Sequence, residues 1–291
     1  MKSKIKTVVF PVAGLGTRFY PATKVTPKEL LVIVDKPIIH YAVQEAIDAG
    51  MERFILVTNP RKKMIERYFD INREVTHSEK RSASYAATRD EFFNPSSLRQ
   101  VFLAHQSKPL GDGHAVWCAR TLIGQEPFAV IMPDDVIHSK VSCLAQLVQA
   151  YEGNGGNWMA VRNVSRSDTN RYGIIDVKSD DGHIISVKGM VEKPEPASAP
   201  STLAITGRYI FQPEILASLK QTKKGYGGEI QLTDAMAKLS TQQPFFGLRF
   251  EGNHFDCGNK FGLLEANMTF AYARPDVAPA LKRFLHKLTR T

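Results

Sequence analysis

The hydrophobic pattern opens with Val8-Val9-Phe10, a short apolar run of β-branched and aromatic residues without polar interruption. Such a run predicts a strand buried on both faces. Pro37 to Gly50 carries apolar residues at Ile39, Val43, Ala46 and Ile47, with proline at its start and glycine at its end, which predicts a helix. Arg53 to Thr58 predicts another strand, Arg61 to Phe69 an amphipathic helix, Val101 to Ala104 and Phe128 to Met132 two further strands, and Ala115 to Ile123 a helix. This alternation indicates βαβ units with right-handed crossovers. Residues 72–97 are polar, read as helical with a turn near Asn94-Pro95, and carry no assignable chemistry.

From Trp158 onwards the pattern changes to short strands near 158–164, 172–178, 183–191 and 203–211, separated by turns such as Asp181-Gly182. That spacing predicts an antiparallel region in a mixed sheet. Gln231 to Ser240, Gly262 to Tyr272 and Pro279 to Thr289 read as helices, and Pro194 to Pro200 as a loop. A chain of 291 residues can bury a substantial core without splitting, so one extended domain over 1–291 is expected.

Composition narrows the class without changing the fold. The chain is 43% hydrophobic and 23% charged, and no apolar stretch approaches the ~20 residues needed to cross a bilayer. Lysines ahead of the first apolar run imitate a signal peptide, but Pro11 and the following glycines cut it short, so it reads as a first strand. Cys118, Cys143 and Cys257 are widely spaced and support neither a disulfide framework nor a zinc site, which points to a reducing cytoplasm. The net charge of +9 favours anionic partners. Its two clusters, Arg61-Lys62-Lys63 and the tail Lys282 to Arg290, carry no recognised binding motif; they read as solvated helix faces rather than nucleic-acid or membrane sites.

Candidate chemistry gathers where strands end. After the first strand, Gly14 and Gly16 allow a turn whose N–H groups can surround an anion, and Arg18, Lys24 and Lys28 add donors suited to phosphate. Neither the P-loop nor the Rossmann pattern is met, the latter because Phe19 stands where a third glycine is needed. A second glycine-bearing loop, Gln106 to His114, follows the strand Val101 to Ala104. Ligands in α/β sheets sit at the carboxyl ends of strands, so both loops should open onto one crevice. Asp134 ends a further strand at that rim, where a carboxylate suits Mg²⁺ beside phosphate oxygens. Because neighbouring strand residues point opposite ways, only one of Asp134 and Asp135 is expected to face the ligand.

Gly14-Leu15-Gly16-Thr17-Arg18, followed by Pro27-Lys28-Glu29, resembles the signature of the sugar-1-phosphate nucleotidylyltransferases, and Pro21-Ala22-Thr23-Lys24 is similar to bacterial uridylyl-transferring members. The resemblance implies an α/β, Rossmann-like mixed and mostly parallel sheet flanked by helices, with a nucleotide-binding half at about 1–150 and a sugar-binding half at about 151–291. It implies Mg²⁺-dependent transfer of a uridylyl group from UTP to glucose 1-phosphate, giving UDP-glucose and pyrophosphate. Ala13, Gly14 and Gly16 would bind the nucleotide, Arg18 and Lys28 would act on the triphosphate, and Gln106 and Gly111 would read the uracil edge. Gly173, Glu192 and Lys193 match the sugar-binding half, with Lys193 on the sugar phosphate. Thr202 stands where the family pattern carries asparagine. Asp134 and Asp256 match the two acidic metal positions, although Asp256 would serve equally as a helix N-cap. The family forms homo-oligomers, so a dimer or tetramer is expected. Rival readings are a non-catalytic regulatory paralogue and a dTTP-using thymidylyltransferase, whose opening loop usually carries paired glycines where this chain has Val12-Ala13.

Overall fold

In the computed structural model, which describes residues 4–69 and 100–289, the opening run becomes β1 (Thr7–Pro11). Its side chains divide between two cores: Val9 joins one hydrophobic cluster, while Val8 and Phe10 join another on the opposite face. A strand buried on both sides must be apolar at consecutive positions, and this explains the uninterrupted run. The polar stretch 72–97 lies outside the described residues.

The chain continues through β2 (Val32–Ile33), β3 (Lys36–Pro37), the helix Ile38–Asp48, β4 (Arg53–Thr58) and the helix Lys63–Tyr68. Beyond residue 99 come β5 (Gln100–His105), the helices Asp112–Cys118 and Arg120–Ile123, β6 (Phe128–Ile131), β7 (Asp135–His138) and the helix Cys143–Asn154. The second half adds β8 (Asn157–Asn163), β9 (Gly173–Asp180), β10 (Ile184–Glu192), β11 (Leu203–Phe211), the helices Glu214–Gln221 and Leu232–Leu239, β12 (Phe245–Arg249) and β13 (Asn253–Asp256). It closes with the helices Lys260–Ala273 and Ala278–Leu288.

Nine strands form one mixed sheet in the order β5-β4-β1-β6-β11-β8-β12-β10-β9. β1 pairs in parallel with β4 and β6, and β4 with β5, whereas β11 runs antiparallel to both β6 and β8. The chain leaves β1 for β4 and β5 on one side, then returns for β6 on the other. Loops at this switch point diverge and leave a crevice at the strand ends. β9 and β10 form the hairpin expected around Asp181-Gly182, with Asp181 Oδ1 accepting the His183 and Ile184 N–H groups. No helix among the described residues is long and apolar enough to cross a membrane.

Two helices not anticipated above carry ordinary signals. Ser142 caps Cys143–Asn154 by accepting the Ala145 N–H, and Leu144, Leu147 and Tyr151 bury one face. Glu214–Gln221 begins after Pro213 and buries Ile215 and Leu219.

A buried arginine ties the layers together. Arg208 of β11 is 1% exposed and donates through Nε and Nη2 to the two carboxylate oxygens of Glu45 at 2.8 Å each. It also donates to the Met132 carbonyl at 3.2 Å and the Asp135 carbonyl at 2.6 Å. Glu45 Oε1 further accepts the Leu144 N–H at 3.0 Å. Removing one partner of such a pair leaves a buried, uncompensated charge. Arg208→Met should therefore destabilise the protein by about 3–5 kcal/mol, read as a lower urea midpoint with unchanged slope.

Candidate active site

The glycine loop leaves β1 at a position pinned by the Val12 N–H, which donates to the Val57 carbonyl at 2.9 Å. Gly16 adopts φ +66°, and a Cβ there would meet Lys28 Cβ at 3.1 Å, so the loop lies directly on the Lys28 stem. In the second loop Gly111 has φ +104°, and its Cβ would fall 2.6 Å from the Ile230 carbonyl oxygen. Only glycine lets these segments approach. Together with the turn after β6 and residues of β9, β10 and β11, the two loops line a cleft of about 550 Å³.

Every candidate residue named above lines this cleft except Lys24 and Thr202. Thr202 sits at the entry to β11, where its carbonyl accepts the Val164 N–H at 2.9 Å.

One group of cations and carboxylates meets around Lys28. Lys28 Nζ donates to Asp134 Oδ2 at 2.6 Å. Desolvation works hardest on both groups and against their charges. The attraction of Lys28 and its hydrogen bond, with Arg18 beyond, nevertheless hold the Asp134 carboxyl below its usual range. Asp134 and Glu29 likewise raise Lys28 above an ordinary lysine despite its burial.

Asp134 is not a strand residue: β6 ends at Ile131, and Pro133 and Asp134 form a turn before β7. The alternation argument therefore does not apply, and Asp135 also lines the cleft, where its Oδ1 lies 2.5 Å from His254 Nε2. Asp256 arrives through the β7–β13 ladder, in register with Asp135, and the Cys257 N–H donates to the Asp134 carbonyl at 2.7 Å. The N-cap of the following helix is Asn259, which accepts the Gly262 N–H, so Asp256 is free of that duty. It accepts instead from the Gly258 N–H at 3.0 Å and from Arg171 Nη2 at 3.2 Å. A Cβ on Gly258 would lie 2.9 Å from Asp134 Oδ2, 3.0 Å from Asp256 Oδ1 and 3.6 Å from Arg18 Nη1, so these three groups converge on one space.

In a second group, Lys193 Nζ lies 3.0 Å from Glu192 Oε1 and 4.9 Å from the Tyr226 ring centroid. Lys193 has φ +44°, a conformation that costs a residue with a side chain about 1–2 kcal/mol. A Cβ on Gly173 would meet Thr233 Oγ1 at 2.9 Å and Glu192 Oε2 at 3.2 Å, which places both side chains beside this glycine. In the second loop, Gln106 is 3% exposed, and its Nε2 lies 2.9 Å from both the Gly111 carbonyl and His114 Nδ1. The carbonyl can only accept, which fixes the amide with its NH₂ on that side.

Arg171 and Asp112 line the cleft without a motif of their own. Lys62, read as part of a solvated face, is 8% exposed and directs its ammonium inward to the Val12 carbonyl and Glu29. Asp112 Oδ1 accepts the N–H groups of Gly113 at 2.7 Å and Leu232 at 2.9 Å. Burial, reinforced by the charge of Glu192, pushes its carboxyl up to about 6.

The family profile for nucleotidyl transferases matches residues 8–272, and the chain belongs to that family. The UTP–glucose-1-phosphate uridylyltransferase of Komagataeibacter xylinus is 48% identical over 263 residues, spanning 89% of this chain and 92% of the relative. Among solved structures, a UDP-glucose pyrophosphorylase complexed with UDP-glucose superposes with a TM-score of 0.85 at 38% identity, covering 93% of this chain and 100% of that one. The UTP-bound enzyme of Acinetobacter baumannii reaches 0.87 at 36% identity, covering 98% and 99%.

Asp112 supplies a pH test of the site. Between about pH 4 and pH 6 the folded protein keeps a proton here that an ordinary carboxyl in the unfolded chain has released, so stability falls as pH rises through that window. Asp112→Asn retains an oxygen for both N–H groups and removes the titration. The variant's advantage over wild type in urea midpoint should grow from pH 4 to pH 6.

Proposed function

We propose that this protein transfers the uridylyl group of UTP to glucose 1-phosphate, releasing pyrophosphate and forming UDP-glucose. The observation that carries the reading is the presence of two separate cation–carboxylate groups, Arg18/Lys28/Asp134/Asp256 and Glu192/Lys193, in the lining of one cleft. A nucleotide triphosphate and a sugar phosphate each need a cationic partner. The sugar phosphate oxygen is already ionised, so it can attack the α-phosphorus in line while the bond to the β-phosphate breaks, and no protein nucleophile is required.

Each chain residue then has a definable task. Arg18 and Lys28 neutralise the triphosphate and the departing pyrophosphate, with Gly14 and Gly16 letting backbone N–H groups approach. Lys193 holds the attacking phosphate, Glu192 accepts from sugar hydroxyls, and Gly173 leaves space for the ring. Gln106 turns its oxygen, the acceptor left over once its NH₂ is engaged, toward the base, which suits the N–H of uracil and not the bare ring nitrogen of cytosine.

Asp134 and Asp256 fit Mg²⁺ by donor chemistry. They direct hard carboxylate oxygens at one space, and the described residues hold no cluster of three or more side chains that would complete an all-protein cage. Such a site suits an ion that takes one or two carboxylates and fills its shell with phosphate and water. When bound, the ion would neutralise charge developing at the α-phosphate and pyrophosphate. A homo-oligomer belongs to the same reading and is supported by exposed Phe261, Leu264, Tyr272 and Phe284 on the last two helices.

Pyrophosphate release measured with UTP, dTTP, CTP and ATP, each with glucose 1-phosphate, tests the assignment. UTP should exceed ATP and CTP by about tenfold or more in kcat/KM, because the wrong base leaves a buried amide unpaired. Equal turnover of ATP would refute the role of Gln106. Lys193→Ala should impair use of glucose 1-phosphate far more than it weakens UTP binding by calorimetry. Asp134→Asn should lower kcat by about a hundredfold or more across a Mg²⁺ titration.

A further inference from the structure

Lys62 precedes the helix Lys63–Tyr68, and its side chain turns inward while Arg61 and Lys63 stay exposed. Its Nζ donates to the Val12 carbonyl at 2.8 Å and to Glu29 Oε1 and Oε2 at 3.0 and 2.8 Å. Glu29 is 2% exposed. The turn that delivers Lys62 is itself held, its N–H donating to the Asn59 carbonyl at 2.7 Å and the Arg61 N–H to Asn59 Oδ1 at 3.0 Å.

The two acceptors are the informative part. Val12 is where the chain leaves β1 for the glycine loop, and Glu29 follows Lys28 in the 3₁₀ turn Lys28–Leu30. One ammonium therefore bridges the two ends of the segment that carries Gly14, Gly16 and Arg18 and finishes at Lys28. We propose that Lys62 is a positioning residue: its link between Val12 and Glu29 sets where the glycine loop and Lys28 stand relative to each other, and hence where both meet a nucleotide triphosphate.

The Lys62–Glu29 pair serves positioning rather than stability. Burial draws Glu29 up and Lys62 down toward their neutral forms, and each charge offsets only part of the other's cost. A buried pair of this kind is often matched in stability by apolar residues of similar volume. What an apolar pair does not supply is direction: three hydrogen bonds from one nitrogen fix a carbonyl and a carboxylate that lie in separate turns. The inference rests on the nucleotide-binding reading of the same cleft.

Lys62→Met alone would strand the Glu29 charge and is expected to lower Tm. The working variant is therefore Lys62→Met with Glu29→Leu, which removes both charges and should melt near the wild type. Hydrogen exchange is followed in peptides covering residues 12–18 and 27–31, and UTP binding by calorimetry in the presence of Mg²⁺. The double variant should exchange about tenfold faster in both segments, with other core peptides unchanged, and bind UTP about tenfold more weakly. Adding Lys28→Ala should cost no more than about twofold beyond Lys28→Ala alone, since the two changes act through one group. Unchanged exchange in these segments, or affinity losses that multiply, overturns the proposal. A wild-type protein that binds no UTP would instead defeat the nucleotide reading, and the exchange measurement would still decide whether Lys62 holds the loop.

Discussion

The interaction on which the architecture turns is the five-way hydrogen bonding of the Arg208 guanidinium. Arginine is always charged, and burying it is tolerable only if its planar fork is filled. Glu45 fills two directions, and the carbonyls of Met132, Asp135 and Gly207 fill the others. Because Met132 and Asp135 flank the Pro133-Asp134 turn, the same contacts that satisfy a buried cation also hold both sides of a cleft carboxylate. Glu45 in turn caps the incoming helix at Leu144, so two helices and two strands share one polar knot. Satisfying that knot fixes the rim of the cleft as a by-product of folding.

Within the cleft, charge is arranged in layers rather than scattered. The Lys62–Glu29 pair lies beneath the Lys28–Asp134 pair, and Arg171–Asp256 closes the far side at 3.2 Å. Lys28, Lys62 and Arg171 each have a carboxylate partner within about 3.2 Å, which offsets the repulsion among neighbouring cations. Around Lys193 the arrangement is simpler, with its ammonium held between Glu192 and the face of Tyr226.

How far the sequence could be read depended on whether a signal was local. Val8-Val9-Phe10 announced a doubly buried strand because burial on both faces needs no partner to be inferred. Gly14, Gly16 and Gly111 were legible because backbone without side chains at strand ends has few uses. Asp135 lines the cleft beside Asp134, against the alternation rule, because the strand ends at Ile131 and Asp134 stands in the turn that follows. Asp256 stayed ambiguous until Asn259 was seen to cap the next helix. Lys62, Arg171 and Arg208 were illegible on principle: a lysine or arginine looks solvent-seeking until the distant carboxylate it meets is known. β7 and β13 share this difficulty, being four residues each and stabilised by one another across a long separation in sequence.

The antiparallel seam between β6 and β11 also bears on how the protein is made. β6 emerges early in synthesis with β1 on one side and an open ladder on the other, and its second neighbour is Arg208 to Phe211, far along the chain. Until that segment arrives, Phe128 to Ile131 present an unpaired apolar edge, the kind of surface on which nascent chains aggregate. The parallel joint of β8 with β12 waits longer still. The sheet thus sets an order of closure: both glycine loops precede in sequence the strand that carries Arg208, and the ladder beside β6 can close only once residues 208–211 are available.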